Sequence, residues 1–215
     1  MINKYIAFDF ETIADRENLP EFDEQSVKVG NLKDPEKIKA KIAEAKADYY
    51  SKAGLNPHHN MICCFGFCDG NGPDSISLEL ESPAHEKALI SEIWEKLSKY
   101  DRFITFNGIA FDVPVLKLHS LFHQVRPALT IDTKKYHIGN HLDIRAILGN
   151  WDQFAKGDLN YYADRLLGEK KTEDIDGKAV QDYWDMGLIE DIEKYCRKDA
   201  QLTWDLGQLV IEYYL

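Results

Sequence analysis

Asp9 and Glu11 in KYIAFDFET, Asp112 in FNGIAFDVPVL and Asp199 in EKYCRKDAQL are carboxylates set inside or beside apolar runs. Carboxylates are normally left in water, because burying an unpaired charge costs several kcal/mol. Acids at the edges of core-forming segments therefore suggest a shared counter-charge. An oxygen-rich donor set of this kind suits Mg²⁺ or Mn²⁺.

The three places differ in weight. Asp-x-Glu recurs at Asp15–Glu17, Asp34–Glu36 and Asp191–Glu193, so the pattern alone carries little. Only Asp9 and Glu11 end an apolar strand, where period-two alternation puts both on one face and Phe10 on the other. A solvent-exposed strand end is the competing reading. Asp112, just before Val113-Pro114, also reads as a helix N-cap, and Asn107-Gly108 as an ordinary turn. Asp199 is the most informative. On a helix it joins Ile192, Cys196, Leu202, Leu206 and Leu209 on the apolar stripe, with Tyr195 one turn earlier at roughly 5 to 6 Å between β-carbons. Tyr5 and Asp9 have the same spacing, but on a strand that spans roughly 13 Å.

FDFET, NGIAFD and YCRKD together resemble the three motifs of the DEDD superfamily of 3′-5′ exonucleases, in the tyrosine subtype. They are most similar to stand-alone proteins related to the exonuclease domain of family B DNA polymerases. The position five residues before Asp199 is Lys194, where the histidine subtype would place His. Tyr162-Ala-Asp-Arg-Leu-Leu-Gly168, Lys171, Asp176-Gly177 and Gly187 also fit the family, so the similarity covers most of residues 4 to 210.

The resemblance implies a ribonuclease-H-like fold and two divalent cations, Mg²⁺ or Mn²⁺. Asp9, Glu11 and Asp199 would hold the metal that activates water; Asp9 and Asp112 would hold the one beside the leaving 3′ oxygen. Tyr195 would orient the water by hydrogen bonding, since an ordinary phenol with a pKa near 10 is a poor base at neutral pH. Backbone around Phe10 and Thr12, with Asn107 and Phe111, would seat the terminal nucleotide. The expected substrate is a single-stranded nucleic acid 3′ end, DNA in preference to RNA. An exoribonuclease or oligonucleotidase of the same fold is the nearest alternative, and a non-catalytic nucleic-acid-binding module an alternative of another class. A polymerase or repair partner is not readable from the sequence. Because the third motif lies close to the last residue, no polymerase domain is expected to follow on this chain.

These residues need a scaffold of strands and helices. Strands are expected at 4–10, 61–68 and 75–80, the last two joined by the turn DGNGPD as a hairpin. Ser82-Pro83 opens a helix to about Tyr100 with Ala88, Leu89, Ile93, Trp94 and Leu97 at helical spacing, followed by a strand at 102–106. A helix at 113–122, a short strand at 141–144, a helix at 159–167 stopped by Gly168, and one or two helices over 188–214 complete an α/β chain. The expected architecture is a mixed five-stranded sheet flanked by helices, one domain over residues 1–215. About residues 15–60 form an insertion, long for a loop, with a helix capped by Asp34 and Pro35, ending near Gly54, and striped by Ile38, Ile42, Ala45 and Tyr49. Its expected place is at the domain edge near the site, as a lid or a brace.

Composition sets the outer bounds. The chain has 215 residues, 44% of them hydrophobic and 29% charged, enough for a sizeable core. The N-terminal segment lacks the features of a signal peptide and no apolar run reaches membrane-spanning length, so a cytoplasmic protein with no membrane partner is expected. The net charge of −11 argues against wrapping long nucleic acid but not against a small polyanion site. Lys134, Lys135, Lys170, Lys171, Arg197 and Lys198 are the basic residues available for phosphates. Cys63, Cys64, Cys68 and Cys196 read as reduced core thiols rather than disulfides or zinc ligands. His119-x-x-x-His123 and His137-x-x-x-His141 have helical ligand spacing; lacking the Glu of H-E-x-x-H and an evident third ligand, they read as solvated faces.

Overall fold

The run YIAFDFETIA alternates β-branched and aromatic side chains with small and acidic ones, and it forms the central strand β1 (Tyr5–Ala14). In the computed structural model, which describes residues 4–169 and 179–215, β1 lies between β2 (Asn60–Cys68), antiparallel to it, and β4 (Arg102–Thr105), parallel to it. β3 (Pro73–Ser77) pairs with β2 as the expected hairpin, and β5 (His141–Asp143) adds parallel to β4. The order β3-β2-β1-β4-β5 is the expected mixed five-stranded sheet. The acidic pair does not end β1, however. Three more residues, Thr12 to Ala14, continue along β2 after a bulge between Glu11 and Thr12.

Two helical layers cover the sheet. Ile6 and Phe8 share a core with α2 (Pro83–Leu97) and α3 (Asp112–Phe122). On the other face Ala7 packs with Leu202, Leu206 and Val210 of α7 (Ile189–Tyr213) and with Leu159 and Ala163 of α5 (Leu159–Leu167). The strand's period of two thus sends its aromatics toward α2 and α3 and its small and acidic residues toward α7. Ser82 caps α2, and Gly168 ends α5 in the left-handed region at φ 70°, both as the sequence predicts. The stripe on α2 is Glu86, Leu89, Ile90, Ile93, Trp94 and Leu97; Ala88 points outward. α7 is one unbroken helix, and Val210 rather than Leu209 extends its buried face.

Two short helices went unpredicted: α4 (Ile144–Leu148) and α6 (Val180–Asp185). In the insertion, α1 (Pro35–Ser51) is capped by Asp34 as expected but buries none of its residues. It stops three residues before Gly54, which lies in a following 3₁₀ turn. The insertion's ends meet where the Asp15 N–H donates to the His59 carbonyl (2.8 Å). Among the described residues no helix is long and apolar enough to cross a membrane. All four cysteines are buried and free.

Candidate active site

The pairing between β1 and β4 runs only from Tyr5 to Ala7, so past that point one edge of β1 loses its neighbour. Asp112 fills the gap. Its Oδ1 accepts the Phe10 N–H at 3.1 Å, which brings the carboxylate to the backbone between Asp9 and Glu11 across 102 residues of sequence. The N-cap reading of Asp112 is therefore corrected. The cap position is Phe111, and Asp112 is the first helical residue with its side chain committed to β1 rather than to its own helix.

From the other side comes α7. Gly66 on β2 has so little space that an added Cβ would lie 2.5 Å from the Cys196 carbonyl oxygen, and at Gly207 it would lie 2.8 Å from the Ile104 side chain. Two glycine contacts, one on the sheet and one on the helix, let α7 lie directly on the strands. The Cys196 Sγ and carboxylate oxygens of Asp9 and Glu11 lie within 4.8 Å of one another. Tyr195 and Asp199, flanking Cys196 on the same helix, are each 5% exposed. The sequence expectation that Asp199 lies on a buried helix face holds.

Burial dominates the electrostatics at two of the clustered groups. Burial, opposed by the Phe10 N–H and reinforced by the negative charge of Asp143, pushes the Asp112 carboxyl up to about 7. Burial, then Cys64 and the charges of Glu11 and Asp9, raises the Cys196 thiol, which stays neutral and is a poor metal ligand. A hard divalent cation would relieve the crowding of acids, and oxygen-only donors fit it.

The residues expected to seat a nucleotide fare differently. The Phe10 ring is 4% exposed, 5.5 Å from Phe8 and 5.4 Å from Phe65, and its N–H is taken by Asp112. The Thr12 hydroxyl donates to the Gly54 carbonyl at 2.5 Å, so Thr12 ties the insertion to the strand one residue after Glu11. Phe111 is half-buried and packs on the core. Asn107, at φ 70°, accepts from Arg145 Nη1 at 2.8 Å. Arg145 and Asp143 were missed by the sequence reading. Asp143 takes the N–H groups of Asn107, Ile109 and Ala146 at 2.9 to 3.0 Å and so fixes the loop that leads into Asp112. The signal was available: Asp143 is an acid at the end of a short strand, β5.

Among the basic candidates, Arg197 holds Ser75 (2.8 Å) and Glu193 (3.4 Å), and Lys198 pairs with Glu169. Lys170, Lys171 and Asp176-Gly177 lie outside the described residues. The histidine reading also changes. His119 is buried, not solvated, and Glu86 from α2 supplies the third donor that the spacing lacked.

Residues 58–207, more than half of the chain, match the family described as "Predicted 3'-5' exonuclease related to the exonuclease domain of PolB". A protein of Methanocaldococcus jannaschii named DNA polymerase is 29% identical over 175 residues, 71% of this chain. The chain spans 10% of that polymerase. The solved structure of the family B DNA polymerase from Pyrobaculum calidifontis superposes with a TM-score of 0.64 at 14% identity, over 98% of this chain and 25% of that one. At this identity the likeness shows the fold, which is the expected ribonuclease-H-like one.

Proposed function

The chain belongs to the family of predicted 3′-5′ exonucleases related to the exonuclease domain of PolB, and from that premise we propose that it hydrolyses the phosphodiester bond at a 3′ end of single-stranded nucleic acid, DNA in preference to RNA, as a single domain over residues 1–215. The observation that carries this reading is the Asp112 carboxylate on the Phe10 N–H between Asp9 and Glu11. A carboxylate drawn from a helix to a strand that already bears two acids is hard to account for by folding alone, since burial there, and then the charge of Asp143, push its pKa up.

Asp9, Glu11 and Asp199 would hold one divalent ion, and Asp9 and Asp112 the other, Mg²⁺ or Mn²⁺. Bound there, the pair would supply an activated water and neutralise charge on the phosphoryl group. The protein's own groups set the geometry. Asp9 and Glu11 are fixed by the pairing of β1 with β2, and Asp112 by the Phe10 amide. Tyr195 would orient the attacking water through its hydroxyl, one turn from Asp199. Asn107, held by Arg145 and Asp143, and the half-buried Phe111 line the approach for the terminal nucleotide.

The test is release of nucleotide from labelled single-stranded DNA and matched RNA, with Mg²⁺ or Mn²⁺, by wild type and by Asp9→Ala and Asp199→Ala. Loss of release in both variants with unchanged circular dichroism is expected. Full activity in either would overturn the assignment.

A further inference from the structure

We propose that Glu86, His119 and His123 form a second metal site, separate from the acidic one, that binds a single Zn²⁺ or similar borderline divalent ion and clamps α2 to α3. One donor atom from each residue lies within 4.8 Å of the other two. His119 Nδ1 is 2.7 Å from Glu86 Oε1, and His123 Nε2 is 2.6 Å from Glu86 Oε2. Two imidazoles at i and i+4, one in α3 and one at its C-cap, plus a carboxylate from α2 is a donor set that suits zinc and leaves a fourth position open.

The surroundings have the form of a metal site's outer shell. His119 Nε2 faces the Pro57 carbonyl at 3.0 Å, and Glu86 Oε1 also accepts the Ile62 N–H at 2.7 Å. A carbonyl can only accept, so the Nε2 proton belongs there and the Nδ1 lone pair is turned toward Glu86. Two oxygens face the two ring nitrogens, and a further cation, proton or metal ion, must stand between Nδ1 and the carboxylate. A metal ion serves His119, His123 and Glu86 at once. The His119 and Glu86 side chains are 2% exposed and that of His123 is 14% exposed, so the site is dry within and open on the His123 side. Donors around a tetrahedral zinc sit about 3.3 Å apart, so the two contacts need to open by about 0.6 Å each, within reach of a small rotation of Glu86.

The site also bears on α3 as a whole. His119 is two turns from Asp112 on the same helix face, about 10 Å along the axis. Filling the site would brace α2, α3 and the segment from Pro57 to Ile62 that enters β2.

The experiment strips the full chain with a chelator, adds about one equivalent of Zn²⁺, desalts into Mg²⁺ buffer and measures retained zinc, with chelator competition giving the affinity. Wild type and Asp199→Asn are expected to retain about one equivalent, while His119→Gln and His123→Gln bind at least about tenfold more weakly. His123→Gln, at the more exposed ligand, keeps the test decisive if His119→Gln does not fold. Folded wild type that retains no zinc, with only a proton between Glu86 and the imidazoles, would overturn the proposal. Retention unchanged in both histidine variants would overturn it too, by locating the zinc at Asp9, Glu11 and Cys196. Because the histidine variants leave the acidic pair intact, failure here is distinguishable from failure of the exonuclease reading.

Discussion

The two ends of α3 hold buried carboxylates in opposite circumstances. At its first turn Asp112 meets Phe10's N–H in the company of Asp9, Glu11 and Asp143, and burial drives it up to about 7. Near its last turn Glu86 reaches in from α2; burial pushes its carboxyl up too, but the contacts with the His119 and His123 imidazoles outweigh that and hold it below the usual carboxylate range. Among the described residues the charge acting on Asp112 is that of another acid, Asp143, whereas Glu86 faces two imidazoles. The difference teaches where stability has been given up: on the proposed reading a cluster of acids is tolerated because a cation would be bound there, and a paired cluster can serve as a clamp.

The largest expected effect lies in the acid cluster. Asp9→Ala or Asp199→Ala should lower the rate of nucleotide release by about 10³-fold or more, because on the proposed assignment Asp9 would be a donor to both ions and Asp199 to one. A loss under about tenfold, read by single-turnover kinetics, would mean that the acids are structural like Glu86.

A stability measurement sharpens the contrast. The folded-state pKa of Asp112 is raised, so in chelator its contribution favours folding at low pH and is lost as pH rises from about 4 through about 7. Asp112→Asn keeps an acceptor for Phe10 and should raise stability at pH 8 by up to about 4 kcal/mol while changing little at pH 4. Glu86 has the reverse sign. Its folded-state pKa is depressed, so its stabilisation is present above the ordinary carboxylate value and disappears as pH falls below that value through the folded-state pKa. Glu86→Gln should therefore destabilise at pH 8 and least at low pH, in melts of the two variants side by side. Parallel pH profiles would erase the distinction between the two ends.

Much of the scaffold was legible because its signals are local. Ser82-Pro83, the DGNGPD turn and the stop at Gly168 each act within a few residues, and all three stand in the structure. Asp199 was legible because helical periodicity put it on a buried face. Asp112 also read as a cap, and the sequence could not exclude that reading because the partner of its side chain, the Phe10 N–H, is 102 residues away. Glu86 obeys the same rule as Asp199, an acid on the buried stripe of an amphipathic helix, and that rule applied evenly would have found the third donor for His119 and His123. The last residues of β1 depended on contacts no local pattern states: Thr12 is held by Gly54, and Ala14's N–H by Gln181 Oε1 at 2.7 Å.

A smaller effect probes how the helix is seated over the acids. Gly66→Ala places a methyl against the Cys196 backbone and should cost about 1 to 3 kcal/mol by chemical denaturation, with activity falling in step because Tyr195 and Asp199 move with α7. Stability lost without activity would separate the helix from the site. Comparable in size, Tyr195→Phe should retain weak activity, down roughly 10- to 100-fold, since the carboxylates proposed to hold the metal ions remain. No change would remove Tyr195 from the mechanism.

The central claim, that the acid cluster serves hydrolysis from a 3′ end, is tested most directly by following a 5′-labelled single-stranded oligonucleotide with Mg²⁺ or Mn²⁺. The account predicts a ladder of labelled fragments shortened one nucleotide at a time, absent in chelator and in Asp9→Ala. Early release of the label as a mononucleotide, cuts confined to internal positions, or an undiminished ladder from Asp9→Ala would contradict it.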